Sequence, residues 1–226
     1  MIRPNILFIQ SDQHCASVTG CYGDRLVRTP NLDNLASKGV VMDNAYCASP
    51  ICVPSRSSLL TGRHPFENRV WTNMHVLDSS IPTMAHGMGT RGYRPVQVGR
   101  LHFNGPDQLH GYAKRMVGDH GSNYPGGSPV DHGMLHGTTG PNHISLRKSG
   151  FGQSAYEIHD EHVVSATVNH LNDLGIRKRA GQQVEPLSLS IGFMLPHQPY
   201  VARKDDYDMY RGTVKMPDHP EPFNDT

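Results

Sequence analysis

Residues 52–62, CVPSRSSLLTG, set a thiol four positions ahead of an arginine at the mouth of a predicted helix. Pro54 suits a turn entering a helix, and Ser55 can cap it, so the helix is predicted over 55–60 with Cys52 just ahead of it. Unpaired backbone N–H groups at a helix start favour an anion. Arg56 adds a permanent positive charge on a planar fork of donors that matches sulfate or phosphate. Two readings stand at this point. Cys52 is a reactive side chain beside a bound oxyanion, or it is a packed thiol, since free cysteines are among the most buried residues. Asp12 is the second candidate. It follows the apolar run NILFIQ (5–10), which is bounded by Pro4 and Ser11 and reads as a buried strand. An acid just past the C-terminal end of a strand lies where open α/β sheets bind ligands.

The elements that must position these residues follow from periodicity and punctuation. Thr29 and Pro30 open a helix that Gly39 ends, and VVM (40–42) begins a second strand. A helix is predicted over 81–91, closed by Gly92, followed by a strand at PVQVG (95–99). Residues 103–152 are dense in Gly, His, Asn and Pro without a clean period, and read as a loop-rich insertion. Within it, 121–140 reads equally as a wall of the substrate pocket or as a surface loop. Asp160 is the predicted cap of a helix whose apolar stripe is Val164, Val168, Leu171 and Leu174, ended by Gly175. LSLSIGF (187–193) is a fourth strand. Alternating strands and helices predict an α/β fold with a mostly parallel central sheet flanked by helices.

Composition narrows the function. Lys plus Arg is 21 against 20 Asp plus Glu in 226 residues, a net charge of +1 with no basic stripe, so no nucleic-acid partner is expected. The apolar run 6–9 is too short for a signal-peptide core or a membrane span. The protein is cytoplasmic if Met1 is the natural start, and periplasmic or secreted if a signal has been cleaved. With 23 Gly, 17 Pro and 15 His, the chain fits a loop-rich enzyme better than a helical bundle. The four cysteines form no C-x-x-C, which removes the usual zinc and thioredoxin spacings, and Cys15, Cys21 and Cys47 read as ordinary thiols.

C-x-P-S-R followed by L-T-G resembles the signature of the type I sulfatases of the alkaline phosphatase superfamily. RPNILFI with Asp12 resembles that family's first strand and metal-binding acid, and TPNLDNLASKGV (29–40) resembles the helix that follows. Asp12-Gln13 and GPDQLHGY (105–112) resemble the branch of choline sulfatases and phosphonate monoester hydrolases. The resemblance covers essentially the whole chain and implies an alkaline phosphatase-like fold. It implies that a formylglycine-generating maturation enzyme oxidises Cys52 to formylglycine. One hydroxyl of the hydrated aldehyde would then attack sulfur and displace the alcohol, and loss of the second hydroxyl's proton would collapse the sulfated hemiacetal, expelling sulfate and restoring the aldehyde. A divalent cation is implied, Ca²⁺ with Mn²⁺ or Mg²⁺ as alternatives.

The resemblance also assigns roles. Asp12 and the neutral Gln13 become metal ligands together with residue 52. Arg56 contacts the diol and sulfate. Gly99-Arg100-Leu101-His102 resembles the family's G-K-x-H, with Arg in place of Lys. Arg100 then acts as an electrostatic clamp on substrate, and any proton role falls to His102. Pro196-His197-Gln198-Pro199 resembles P-H-x-P, which implies that His197 reaches the bridging oxygen or the sulfate and is a candidate acid for the leaving alcohol. Asn73 matches a substrate-side asparagine. His64, His75, His110, His120, His132 and His136 match no motif and read as loop histidines. The resemblance implies, further downstream, an Asp followed by Asn or His and a sulfate-binding lysine, which have no counterpart after His197, so residues 1–226 read as the N-terminal part of a catalytic domain, without turnover alone. The implied activity is hydrolysis of a sulfate monoester of a small molecule or sugar. The alternatives are a phosphonate or phosphate ester hydrolase on the same scaffold, or a truncated, non-catalytic homologue.

Overall fold

The computed structural model describes residues 3–120 and 143–214. At its centre is a four-stranded sheet. β1 (Ile6–Gln10), β2 (Val96–Gly99), β3 (Lys114–Met116) and β5 (Ser188–Gly192) run parallel in the order β1-β5-β2-β3. Residues Val96 and Val98 pair with Leu189 and Ile191, so both rows of branched side chains share one face. Val163 joins them from the long helix α6 (Ala155–Arg179), giving one of two core clusters. The other gathers Val53, Leu60, Val70, Leu77, Ala85, Leu101, Phe103 and Tyr112 around three helices, α2 (Cys52–Thr61), α3 (Pro65–Asn68) and α4 (Met84–Thr90). Ser190 alternates with Leu189 and Ile191 and accepts a hydrogen bond from Tyr112 at 3.0 Å, so this second cluster lies on the opposite face. A two-stranded parallel ribbon, β4 (Gly150–Phe151) with β6 (Val201–Ala202), stands apart beside α7 (Lys204–Tyr210). Two further helices are α1 (Pro30–Ala36) and α5 (His143–Lys148).

Glycine sets the spacing where β2 and β5 end. Gly99 and Gly192 are register partners, and a Cβ on Gly99 would meet the Gly192 oxygen at 2.2 Å and Val163 at 2.7 Å. Gly99 also has φ +85°, a conformation that side chains resist. The two strands can therefore exchange a bond beyond the ladder, from Arg100 N–H to the Gly192 carbonyl at 2.9 Å, while α6 packs against them.

Several elements differ from their predicted form. Helix α2 begins at Cys52, one turn before the predicted 55, because Pro54 in the first turn has no amide to satisfy. Ser154, not Asp160, caps α6, through a bond from the Glu157 amide. The predicted stripe of α6 is turned outward, with Val164 and Val168 each 48% exposed. The helix docks instead through Tyr156, His159, Val163 and Thr167, one position earlier in each turn, the face that meets Gly99. Residues 40–42 form no strand, and α4 is shorter than the predicted 81–91. β1 is covered on one side only, since Leu7 and Ile9 are more than half exposed. The insertion at 103–152 contains β3, α5 and β4 among its described residues, while 121–140 and its histidines lie outside them. His110 is not a loop-surface histidine: its ring is buried against Phe103, with centroids 4.3 Å apart. No helix among the described residues is long and apolar enough to cross a membrane.

Candidate active site

The C-terminal edge of the parallel sheet assembles the site. Asp12 follows β1, Arg100 and His102 follow β2, and His197 follows β5. Parallel strands release their chains at one edge, so residues far apart in sequence converge there. Cys52 arrives from another direction, as the first residue of α2. Donor atoms of Asp12, Cys52 and His197 all lie within 4.8 Å of one another.

Arg56 sits one turn along α2 from Cys52, on the same face. It is 4% exposed and its guanidinium serves three acceptors. It donates to Asp12 Oδ2 at 2.9 Å, to Gln10 Oε1 at 3.2 Å and to the Arg100 carbonyl at 3.2 Å. Burial and the neighbouring Arg100 press its pKa down, while Asp12 opposes them. Arg100 Nε stands 3.2 Å from the same Asp12 oxygen, close enough for an ion pair but without hydrogen-bond alignment. Two guanidinium groups therefore share one nearly buried carboxylate.

The two histidines approach Cys52 with different ring atoms engaged behind them. Arg100 Nη2 donates to His102 Nδ1 at 2.9 Å. A guanidinium can only donate, so Nδ1 accepts and the ring proton of neutral His102 sits on Nε2. His197 Nδ1 donates to the Gln198 carbonyl at 2.7 Å, the reverse arrangement. Hydrogen bonds with His102 first, and then His197, lower the Cys52 pKa from 9.0 to about 5, against the opposing effects of burial and Asp12. Burial is the largest influence on His197 and works to lower its pKa. Bonds to Cys52 and the Gln198 carbonyl, with the charge of Asp12, raise it overall.

Two predicted residues have other contacts. Asn73 Oδ1 accepts the Val53 amide at 2.9 Å, which caps α2 one residue beyond Cys52. Gln13 is exposed, with φ +53°, and its amide nitrogen donates to the Tyr200 hydroxyl at 3.0 Å. Other residues were not singled out by sequence. Gln10 ends β1 and reads as strand. Asp119 lies beyond β3, a strand whose KRM sequence carries no alternation to announce it. Asp160 reads as a cap. An open groove of about 1360 Å³ borders His197 from the side of α6 and α7, and neither Cys52 nor Asp12 lines it.

The sulfatase family model matches residues 4–220. This chain belongs to the sulfatase family. It is 32% identical over 218 residues to the choline-sulfatase of Rhizobium meliloti (strain 1021), covering 92% of this chain and 41% of that one. Among solved structures, a 2-O GAG sulfatase aligns with a TM-score of 0.60 at 25% identity, over 86% of this chain and 35% of that one. The phosphonate monoester hydrolase of Agrobacterium radiobacter aligns with a TM-score of 0.61 at 19% identity, over 92% and 44%, a likeness of fold. The chain thus spans about two fifths of the length of that choline-sulfatase. Membership places it among the type I sulfatases of the alkaline phosphatase superfamily, with the α/β fold of that group.

Proposed function

We propose that the protein hydrolyses a sulfate monoester, of a small molecule or a sugar, with a nucleophile made from Cys52. The observation that carries this is the convergence of Cys52, Asp12 and His197 within 4.8 Å, beside Arg56. A core thiol would not be set against one carboxylate, two imidazoles and two guanidinium groups. Conversion of Cys52 to formylglycine by a maturation enzyme would supply a hydrated aldehyde, a nucleophile that a thiol does not offer.

Asp12 and residue 52 suit a divalent cation, for one gives a carboxylate and the other, once oxidised, oxygen donors. Such donors favour Ca²⁺, Mg²⁺ or Mn²⁺, and the ion would supply charge neutralisation to the sulfate oxygens. The chain's own residues do the rest. Arg56, a turn from residue 52, sets positive charge beside it and fixes Asp12. Arg100 orients His102 so that Nε2 holds a proton for the nucleophile or the sulfate. His197, held through Nδ1 by the Gln198 carbonyl, keeps Nε2 as the atom that gives a proton to the leaving alcohol.

The test is mass spectrometry of the peptide spanning Cys52, taken from the native source. An aldehyde at position 52 is expected. A fully retained thiol there, in protein with sulfatase activity, would remove the proposed nucleophile. Rates on an aryl sulfate should exceed those on an aryl phosphonate, and the reverse order would reassign the substrate.

A further inference from the structure

The geometry points to His159 as a positioning residue that locks the two histidine-bearing loops of the site to each other. Its functional meaning rests on the hydrolase reading above, and its geometry does not.

Each loop is gripped by one carboxylate, Asp119 buried and Asp160 partly exposed. Asp119 accepts the Leu101 amide at 2.9 Å and the His102 amide at 3.1 Å. His102 needs such a grip because its backbone is left-handed, at φ +60°. A non-glycine residue held there is strained and persists only when its surroundings fix it. Asp160 does the corresponding work on the other loop. Its Oδ1 accepts the Met194 amide at 2.8 Å and its Oδ2 the Leu195 amide at 2.9 Å. The Met194 carbonyl then accepts the His197 amide at 3.0 Å, which closes the turn carrying that imidazole.

His159 joins the two grips. Its Nδ1 lies 3.0 Å from Asp160 Oδ1, and its Nε2 lies 2.8 Å from the carbonyl of Gly118, the residue before Asp119. The ring is 1% exposed and spans from α6 to the segment after β3. Tyr156, one turn earlier on α6, stands edge-on to the His197 ring at 5.6 Å and limits its swing. A shift of the 101–102 loop therefore strains the 194–197 loop through one imidazole. The consequence for chemistry is shared alignment: both catalytic histidines are referenced to the same helix.

The experiment reads the imidazole rings of His102 and His197 by long-range ¹H–¹⁵N NMR, in the chain carrying the Cys52 thiol. Asp119→Asn perturbs the first loop together with the Arg115 ion pair beside it, and Asp160→Asn the second loop together with its His159 contact. Each should move the ring signals of the far histidine as well as the near one. In a His159→Phe background those far shifts should vanish while the near ones remain. His159→Gln, which can donate to the Gly118 carbonyl but cannot span to Asp160 as well, should behave the same way and serves if the Phe variant does not fold. Far shifts that survive both substitutions would mean that coupling runs by another route, through Cys52, the Arg100 contact to Met194 or the His120–Tyr156–His197 rings, and the inference would be overturned. Far shifts absent from the start, with only a lower melting temperature, would reduce His159 to a packing role and overturn it equally. Neither readout needs turnover, so it stands whether or not residue 52 becomes an aldehyde.

Discussion

The acidity of the Cys52 thiol is open to direct measurement before any maturation. Its pKa is lowered from 9.0 to about 5, chiefly by the His102 hydrogen bond and next by His197. At pH 7 an ordinary thiol of pKa near 9 is ionised to about 1%, and a thiol of pKa near 5 to about 99%. Raw alkylation rates understate this difference, because nucleophilicity falls with basicity, with a Brønsted slope of about 0.4–0.5. The midpoint of the pH–rate curve is free of that correction. The assay uses iodoacetamide on the thiol form, with a chelator present to keep cations off the site. Peptide mass spectrometry follows Cys52, and a free cysteine peptide in the same tube gives the reference. Half-maximal alkylation is expected near pH 5 for Cys52 and near about 8.5 for the reference. His102→Ala should raise the Cys52 midpoint more than His197→Ala, following the order of the two bonds. A Cys52 curve that overlays the reference would refute the placement of both imidazoles. The sign for stability follows from the same shift. Between about 5 and 9 the folded chain binds fewer protons here than the unfolded one, so this group stabilises the fold as pH rises and loses that effect as pH falls through about 5.

Gly99→Ala should destabilise the chain by about 2–4 kcal/mol, because the new Cβ meets a backbone oxygen and φ is positive. Gly87→Ala, in α4 with nothing within 4 Å of its Cβ, should be neutral or stabilising by up to about 1 kcal/mol. Equal denaturation midpoints for the two would remove the close approach as the reason for glycine at 99. Asn73→Ala should cost about 1 kcal/mol by uncapping the Val53 amide, and Asn73→Asp, which keeps the oxygen, should recover most of it. A melting temperature unchanged by Asn73→Ala would show that the cap carries no weight.

Legibility in the sequence varied with the range of the interaction. The strands at 5–10, 95–99 and 187–193 were readable because each is a short apolar run between breakers, and they emerged as β1, β2 and β5 within a residue or two. Helix α6 was readable as a helix but not as a surface. Its repeating Val and Leu at 164, 168 and 171 resemble a core stripe, yet the docking face is chosen by where Gly99 leaves room for Val163. Asp160 was assigned to a cap because an acid near a helix start usually is one. Its partners, the Met194 and Leu195 amides, are more than thirty positions away and leave no local trace.

By itself, the order of residues determined the chemical cast: a cysteine, proline and arginine within one helical turn, an acid after the first strand, and histidines after two later ones. Those are local facts, set by spacing along the backbone and by what each side chain can donate or accept. Only the tertiary structure decided that Asp12 faces both Arg56 and Arg100, and that His102 and His197 meet the same thiol. It also decided which carboxylates hold the two loops in place. The physical reason is the parallel sheet: its strand order β1-β5-β2-β3 differs from the chain order, and that exchange brings distant strand ends to one edge.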